Sequence, residues 1–243
     1  MRFLPLHSLL FNLGTTPTEC LRCKTMGSYR IANICESCYL DIARIQNSCL
    51  RCGVPLAMST PACGKCLKNK SSVDISLIAC PFISPVDDWL RNLKDRGNLS
   101  ALPTLCQLML DRICELPKQS FDLIIPMPVH WTRRCMRGFN QTELLCKSLA
   151  EALAVETSYK VLKRSRRVLS QRGLSQIERR RNQQNSFHLS DKAYPKIKGK
   201  SILLVEDIVT TGATVEQAAK ILKLKGADSI AVIAVARTPE PKN

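Results

Sequence analysis

The sequence predicts an α/β domain built on a parallel sheet flanked by helices, with a small cysteine-rich module in front of it. Three observations carry that expectation. Eight of the thirteen cysteines fall in four C-x-x-C pairs before residue 70. After that point, apolar runs of strand length alternate with segments of helical periodicity. The last two runs, SILLVED (201–207) and SIAVIAVAR (229–237), are apolar almost without interruption, as strands covered on both faces are.

The pairs are Cys20/Cys23, Cys35/Cys38, Cys49/Cys52 and Cys63/Cys66, separated by 11, 10 and 10 residues. A C-x-x-C turn brings two thiolates to one tetrahedral ion, and a second turn completes a four-sulfur shell. Four pairs imply two zinc ions. With all four positions of each ion filled by thiolate, both are structural, ordering a segment of about 50 residues that is too short to build its own core. Near-equal gaps read as a duplicated ribbon. Local pairing closes the shorter loops, which favours Cys20, Cys23, Cys35 and Cys38 on one ion and Cys49, Cys52, Cys63 and Cys66 on the other. Interleaved pairing is the alternative. Disulfides or redox-active dithiols use similar spacings, but disulfides need an oxidising compartment.

The opening MRFLPLHSLLFNLG has one early positive charge and no small-residue cleavage pattern after it, so it reads as a docking helix rather than a leader. Pro5, His7, Ser8 and Asn12 interrupt it, and no run approaches the ~18 apolar residues of a spanning helix. The expected organisation is an extension over 1–18, a double ribbon over 19–70, a polar connector NKSSVD at 69–74 and the α/β domain over 75–243.

Within that domain ISLIACPF (75–82) is the first strand. DDWLRNLKDRG is a short helix stopping near Gly97, and LPTLCQLMLDRICEL (102–116) is a longer one. FDLIIPMPV (121–129) is a buried strand entering a proline-punctuated loop, and FNQTELLCKSLAEALAV (139–155) an amphipathic helix with Leu144, Leu145, Leu149 and Leu153 on its apolar stripe. VEQAAKILKLKGA is a helix with its stop at Gly226. The single cysteines Cys80, Cys106, Cys114, Cys135 and Cys146 lie in apolar sequence and are expected in the core.

Charge is uneven. Residues 160–200 hold 13 basic and 2 acidic side chains, so 11 of the 16 net positive charges sit in 41 residues. A block this dense suggests an anionic partner such as polyphosphate, nucleic acid or acidic lipid, against the plainer reading of a solvated loop. Lys160, Lys163, Arg164, Arg166, Arg167, Arg172, Arg179, Arg180 and Arg181 are placed to track a phosphate backbone. Tyr159, Phe187 and Tyr194 are the few interleaved aromatics, so electrostatics are better supported here than base stacking.

LLVEDIVTTGAT (203–214) carries the chemistry. A strand over 201–205 delivers Glu206 and Asp207 to the carboxyl end of the sheet, where α/β folds bind ligands, and paired carboxylates there accept hydrogen bonds from vicinal sugar hydroxyls. Thr210, Thr211, Gly212, Ala213 and Thr214 then form a short loop whose backbone N–H groups converge on a phosphate. Thr214 and Gln217 have capping-box spacing, which sets the loop at the positive end of the next helix.

This stretch resembles the phosphoribosyl pyrophosphate (PRPP) motif of type I phosphoribosyltransferases: four apolar residues, two acids, two apolar residues and TTGxT. PMPVHWTRRCMRGFNQTELL (126–145) and RRVLSQRGLSQIERRRNQQNSF (166–187) look like the paired signatures of the ComF competence family, which joins a cysteine-rich zinc ribbon to such a domain. Together the similarity runs from Cys20 to Arg237.

The resemblance implies a type I phosphoribosyltransferase-like sheet behind a double zinc ribbon. It implies a PRPP site at Glu206, Asp207 and residues 210–214, with Pro126 to Val129, and so Pro128 and Val129, as the pyrophosphate-side loop and Mg2+ accompanying PRPP. Arg133, Arg134, Arg137, Gly138, Phe139, Asn140 and Gln141 would be a family surface beside it, and Gln171, Leu174, Arg179, Asn182 and Phe187 match the second signature. Where the family commonly has a threonine this chain has Val168, so no catalytic role is drawn from that position. The implied partners are incoming single-stranded DNA and DNA-uptake machinery. The implied location is the cytoplasm, with a peripheral position at the inner membrane also open. Whether the site transfers ribose 5-phosphate to an acceptor or only binds it stays open, because no stretch reads as base recognition.

Overall fold

The structure is a computed structural model that describes residues 18–29, 33–116, 120–129, 138–164, 187–190 and 193–239. Among these residues the α/β domain contains strand β3 (Ile75–Pro81), helices α3 (Val86–Arg96) and α4 (Leu102–Cys114), β4 (Leu123–Pro126), α5 (Gln141–Leu153), the short strands β5 (Leu162–Arg164) and β6 (Phe187–Leu189), α6 (Tyr194–Ile197), β7 (Ser201–Val209), α7 (Ala213–Leu224) and β8 (Ser229–Arg237). The ribbons before it contribute β1 (Thr18–Glu19), β2 (Met26–Gly27), α1 (Glu36–Leu40) and α2 (Gly64–Lys68).

Strands β3, β8, β7 and β4 lie side by side in that order, every pair parallel. Thr157 bridges to Ile124 in parallel, which carries the sheet one short step beyond β4. After β4 the chain crosses through α5 to that outer edge; after β7 it crosses through α7 to β8, in the opposite direction. The gap between the ends of β4 and β7 is therefore the topological switch point, where a doubly wound sheet leaves a ligand crevice.

Alternation along the strands explains their apolar sequence. Leu203 and Val205 face the core formed with Leu90 and Leu93 of α3, Leu105 and Met109 of α4, and Leu145 and Leu149 of α5. Ile202 and Leu204 face the other core, with Val215, Ala218 and Leu222 of α7, Phe187 of β6 and Ile197 of α6. A sheet covered on both faces has no polar positions to spare.

The ribbons are docked, not tethered. Cys20, Ile34, Tyr39 and Ile42 belong to the same core as α3 and α4. Tyr39 Oη donates to Asp111 Oδ2 (2.6 Å), on which Arg44 Nη1 also converges (3.0 Å). In the second ribbon Gly53 has φ +70°, and a Cβ there would lie 2.5 Å from Ile78 Cγ1, so only glycine lets this turn lie against β3. Ser76 N donates to Leu50 O (2.6 Å) from the sheet side. The connector is pinned as well, Ser71 Oγ and Ser72 N both donating to the Glu216 carboxylate of α7 (2.7 and 2.6 Å).

Several expectations are corrected. Strand β7 runs to Val209, two residues past SILLVED, because Ile208 and Val209 keep pairing with Ala236 and Arg237 of β8. The strand expected over 121–129 is confined to Leu123–Pro126. Cys80, Cys106 and Cys146 are buried as expected, but Cys114, in the last turn of α4, is exposed; Cys135 lies outside the described residues. Phe187 is buried rather than available for stacking, its ring covered by the Arg164 guanidinium at 5.6 Å. The antiparallel pair β5–β6 had no sequence signal, being three residues on each side. No helix among the described residues is long and apolar enough to cross a membrane.

Candidate functional site

The eight ribbon cysteines converge as two sets, Cys20, Cys23, Cys35 and Cys38 in one and Cys49, Cys52, Cys63 and Cys66 in the other; in each set the sulfur atoms lie within 4.8 Å of one another. This is the sequential pairing, and the interleaved one is overturned. A tetrahedral zinc with Zn–S bonds of about 2.3 Å separates its sulfurs by about 3.8 Å. Cys20 to Cys35 is 3.7 Å, Cys23 to Cys35 3.8 Å and Cys52 to Cys63 3.8 Å, so the donors fit that ion. Each set has a backbone donor to its buried sulfur, Cys35 N to Cys20 (3.4 Å) and Cys63 N to Cys49 (3.1 Å). Burial alone would raise these two thiols, but backbone N–H groups outweigh it and bring Cys20 down to about 6 and Cys49 to about 7. Thiolate, the form a metal binds, is thereby favoured.

At the switch point the loop following β7 turns at Gly212, with φ +80°, a conformation costly for residues with a side chain; a Cβ there would meet nothing within 4 Å. Gly212 is the N-cap of α7 and no side-chain cap forms, which corrects the capping box expected at Thr214 and Gln217: Thr214 lies already inside the helix. Thr211 Oγ1 instead accepts from Ala213 N (3.4 Å). Thr210, Thr211, Ala213 and Thr214 are exposed, and the first-turn N–H groups of α7 have no partner within the helix. The loop thus presents donors and hydroxyls to solvent at the positive end of a twelve-residue helix.

The acid pair divides in role, because neighbouring strand residues point to opposite faces. Asp207, 4% exposed, faces α3 and α5: its Oδ2 receives Gln141 Nε2 (2.7 Å) and the Lys94 ammonium (2.9 Å), and its Oδ1 receives Ile208 N (2.6 Å). Glu206 is half-buried, with Oε1 accepting from Asp207 N (3.0 Å). Burial first, and the adjacent Asp207 charge second, push the Glu206 carboxyl well above the usual range.

A raised acid keeps a proton in the folded chain that the unfolded chain has released, so its contribution falls as pH climbs past the ordinary carboxylate value. Glu206→Gln is therefore expected to match the native protein in thermal midpoint near pH 4 and to exceed it by several degrees at pH 8. A difference independent of pH would contradict the raised-acid account.

Pro128 and Val129, half-buried, leave the end of β4 beside the acid pair, Met127 N donating to Val205 O of β7 (2.8 Å). Asn140 and Gln141, expected on a surface, are buried instead. Asn140 Oδ1 caps α5 by accepting from Thr142 N (3.1 Å), while Thr142 Oγ1 donates to Met127 O (2.7 Å), which ties the helix start to the β4 loop. Lys94 escaped the sequence reading; only its i+4 spacing from Leu90 hinted that it lies near the sheet. Arg133, Arg134, Arg137, Arg166, Arg167, Arg172, Arg179, Arg180 and Arg181 lie outside the described residues. Residues 165–186 are bracketed by the β5–β6 pair.

A family model for the phosphoribosyl transferase domain matches residues 145–243. Competence protein F of Haemophilus influenzae is 31% identical over 228 residues, 90% of this chain and 96% of that protein. DNA utilization protein YhgH of Escherichia coli is 29% identical, covering 92% and 99%, and competence protein ComFC of Streptococcus pneumoniae 28%, covering 84% and 87%. Among solved structures, adenine phosphoribosyltransferase of Thermoanaerobacter pseudethanolicus covers 58% of this chain and 69% of its own at 21% identity and a TM-score of 0.35.

Proposed function

The chain belongs to the ComF competence family, and from that premise we propose that it handles incoming single-stranded DNA during natural transformation and carries a PRPP site in the loop after β7. The observation that carries the reading is the placement of that loop. It sits at the switch point, at the start of α7, with Glu206 and the Pro128–Val129 turn beside it, so one crevice offers phosphate donors, a carboxylate and a second loop.

In this reading the α7 N–H groups and the Thr210, Thr211 and Thr214 hydroxyls hold the 5′-phosphate, Glu206 accepts from a ribose hydroxyl, and the loop after β4 borders the pyrophosphate. Asp207 orients the floor of the site through Lys94 and Gln141. Beyond the two thiolate sets, no group of three or more metal-ligating side chains exists among the described residues. Mg2+ retains waters and takes substrate phosphates, so it would arrive with PRPP, the carboxylates only bordering it; its contribution is to neutralise pyrophosphate charge. Zinc would hold each ribbon closed. The arginines of 166–181 and Arg133, Arg134 and Arg137 supply the electrostatic grip on a strand.

Binding of PRPP and of a single-stranded oligonucleotide to one sample, alone and together, tests both halves. Reversing Arg179, Arg180 and Arg181 to Glu should weaken strand binding by about two orders of magnitude and flatten its salt dependence, three phosphate contacts being lost. Glu206→Ala should lose PRPP while strand affinity is nearly unchanged. Unaltered strand affinity in the arginine variant would sink the DNA assignment. Pyrophosphate release on adding a nucleobase or amine, abolished by Glu206→Ala, would replace binding with phosphoribosyl transfer.

A further inference from the structure

A cleft of about 510 Å³ lies on the β8 side of the phosphate loop, away from the β4–β7 crevice. One wall is that loop and the start of α7, through Thr211, Ala213 and Glu216; the other is the second ribbon, through Arg51, Val54, Leu56 and Lys65, with Lys70 of the connector at its rim. Arg237, the last residue of β8, also lines it.

Arg237 is the unusual element. It is 3% exposed, and no carboxylate among the described residues lies within ion-pairing distance of it. Among the described residues its side chain makes one hydrogen bond, from Nη1 to Cys52 O (2.8 Å), and its buried Nε has no partner. A guanidinium carries five donors and keeps its charge at any physiological pH; Cys52, Cys63 and Cys66 of the second thiolate set line the same cleft and supply negative charge beside it, yet its Nε–H has no acceptor among the described residues. Glu216, the acid in the same lining, is already committed to Ser71 and Ser72. Lys65 and Lys70, both exposed, add positive charge at the mouth, while Val54 and Leu56 make one side of the wall apolar.

We propose that this cleft is a second phosphate site, which takes the phosphate of a nucleotide unit adjoining the group held by the β7–α7 loop, Arg237 being its buried cation and the second ribbon its closing wall. The position decides the ligand class. A sugar lying over the β4–β7 crevice with its 5′-phosphate on the loop has this cleft on the far side of that phosphate, where a polynucleotide continues and a lone sugar phosphate does not. A free nucleoside 5′-diphosphate also places a second phosphate on that side, so the source is settled by probe. The inference rests on the sugar-phosphate reading of the loop. It gives the ribbon a direct part in binding, beyond holding the fold.

Calorimetry on the zinc-loaded full chain, with ribose 5-phosphate, thymidine 5′-monophosphate, thymidine 5′-diphosphate and the dinucleotides TpT and pTpT, tests it. With the internal phosphate on the loop, pTpT should bind about tenfold tighter than TpT, the gain of a charge-assisted pair from its 5′-terminal phosphate. Arg237→Gln should erase that preference and leave ribose 5-phosphate binding intact. Lys65→Glu with Lys70→Glu, on the exposed rim, should reduce it without touching the core, which covers the case in which the Arg237 variant does not fold. A gain for pTpT over TpT marks a strand as the source; a gain seen only for the 5′-diphosphate over the monophosphate marks a free nucleotide. No gain in either comparison, or a preference that survives both variants, overturns the proposal. Failure of ribose 5-phosphate to bind the native chain would instead remove the loop reading on which it stands.

Discussion

Cys49→Ser is expected to lower bound zinc from about two ions per chain to about one and to unfold the second ribbon. The magnitudes favour loss over tolerance. A structural zinc site contributes on the order of 10–16 kcal/mol of apparent binding energy, comparable with the whole stability of a domain at about 5–15 kcal/mol. Cys49 is fully buried and also accepts from Cys63 N, so its substitution removes a ligand and a hydrogen-bond acceptor at once. The damage should spread to the sheet, because the ribbon meets β3 at Gly53 and Ser76 and β8 at Arg237. Metal analysis with thermal unfolding reads both effects, and Cys114→Ser, at an exposed thiol outside either set, should keep both ions and the native midpoint. A native stoichiometry near one, or a Cys49 variant that retains both ions, would refute the two-site assignment.

What the sequence disclosed follows from how local each signal is. The ribbons were readable because ligand spacing is written directly in C-x-x-C, and the sequential pairing came from loop length alone. The buried strands were readable because 202–205 and 230–236 must be apolar on two faces. The loop after β7 was readable as a motif, yet its cap was misplaced, since Gly212 in a left-handed turn starts α7 without any side chain at Thr214 taking part.

Lys94, Arg237 and the cleft beside the second ribbon were not readable, because each depends on tertiary neighbours far away in sequence. Lys94 meets Asp207 across 113 positions, and Arg237 meets Cys52 across 185. Nothing in a basic residue at the end of a helix or strand announces the acid or carbonyl it will face. The docking of the ribbons was hidden for the same reason, since 69–74 reads only as a polar connector until Ser71 and Ser72 are seen bonded to Glu216.

Asp207→Ala should then cost about 3 kcal/mol of stability, more than its neighbour's removal, although both are acids of one motif. The Lys94 side chain is only 20% exposed and Asp207 6%, and deleting the carboxylate leaves an ammonium and the Gln141 amide buried without their shared acceptor. Breaking a buried pair from one side is expensive, whereas replacing both partners by apolar groups is often nearly neutral. Lys94→Met in the Asp207→Ala background should therefore recover most of the loss, measured as the urea midpoint. Glu206→Ala works the other way, since it removes a carboxyl whose ionisation the fold already opposes. If Asp207→Ala costs under about 1 kcal/mol, or if Lys94→Met adds a further loss instead of restoring stability, Asp207 is not the buried anchor described. In that case its carboxylate would be free for a ribose hydroxyl, as the motif alone suggests.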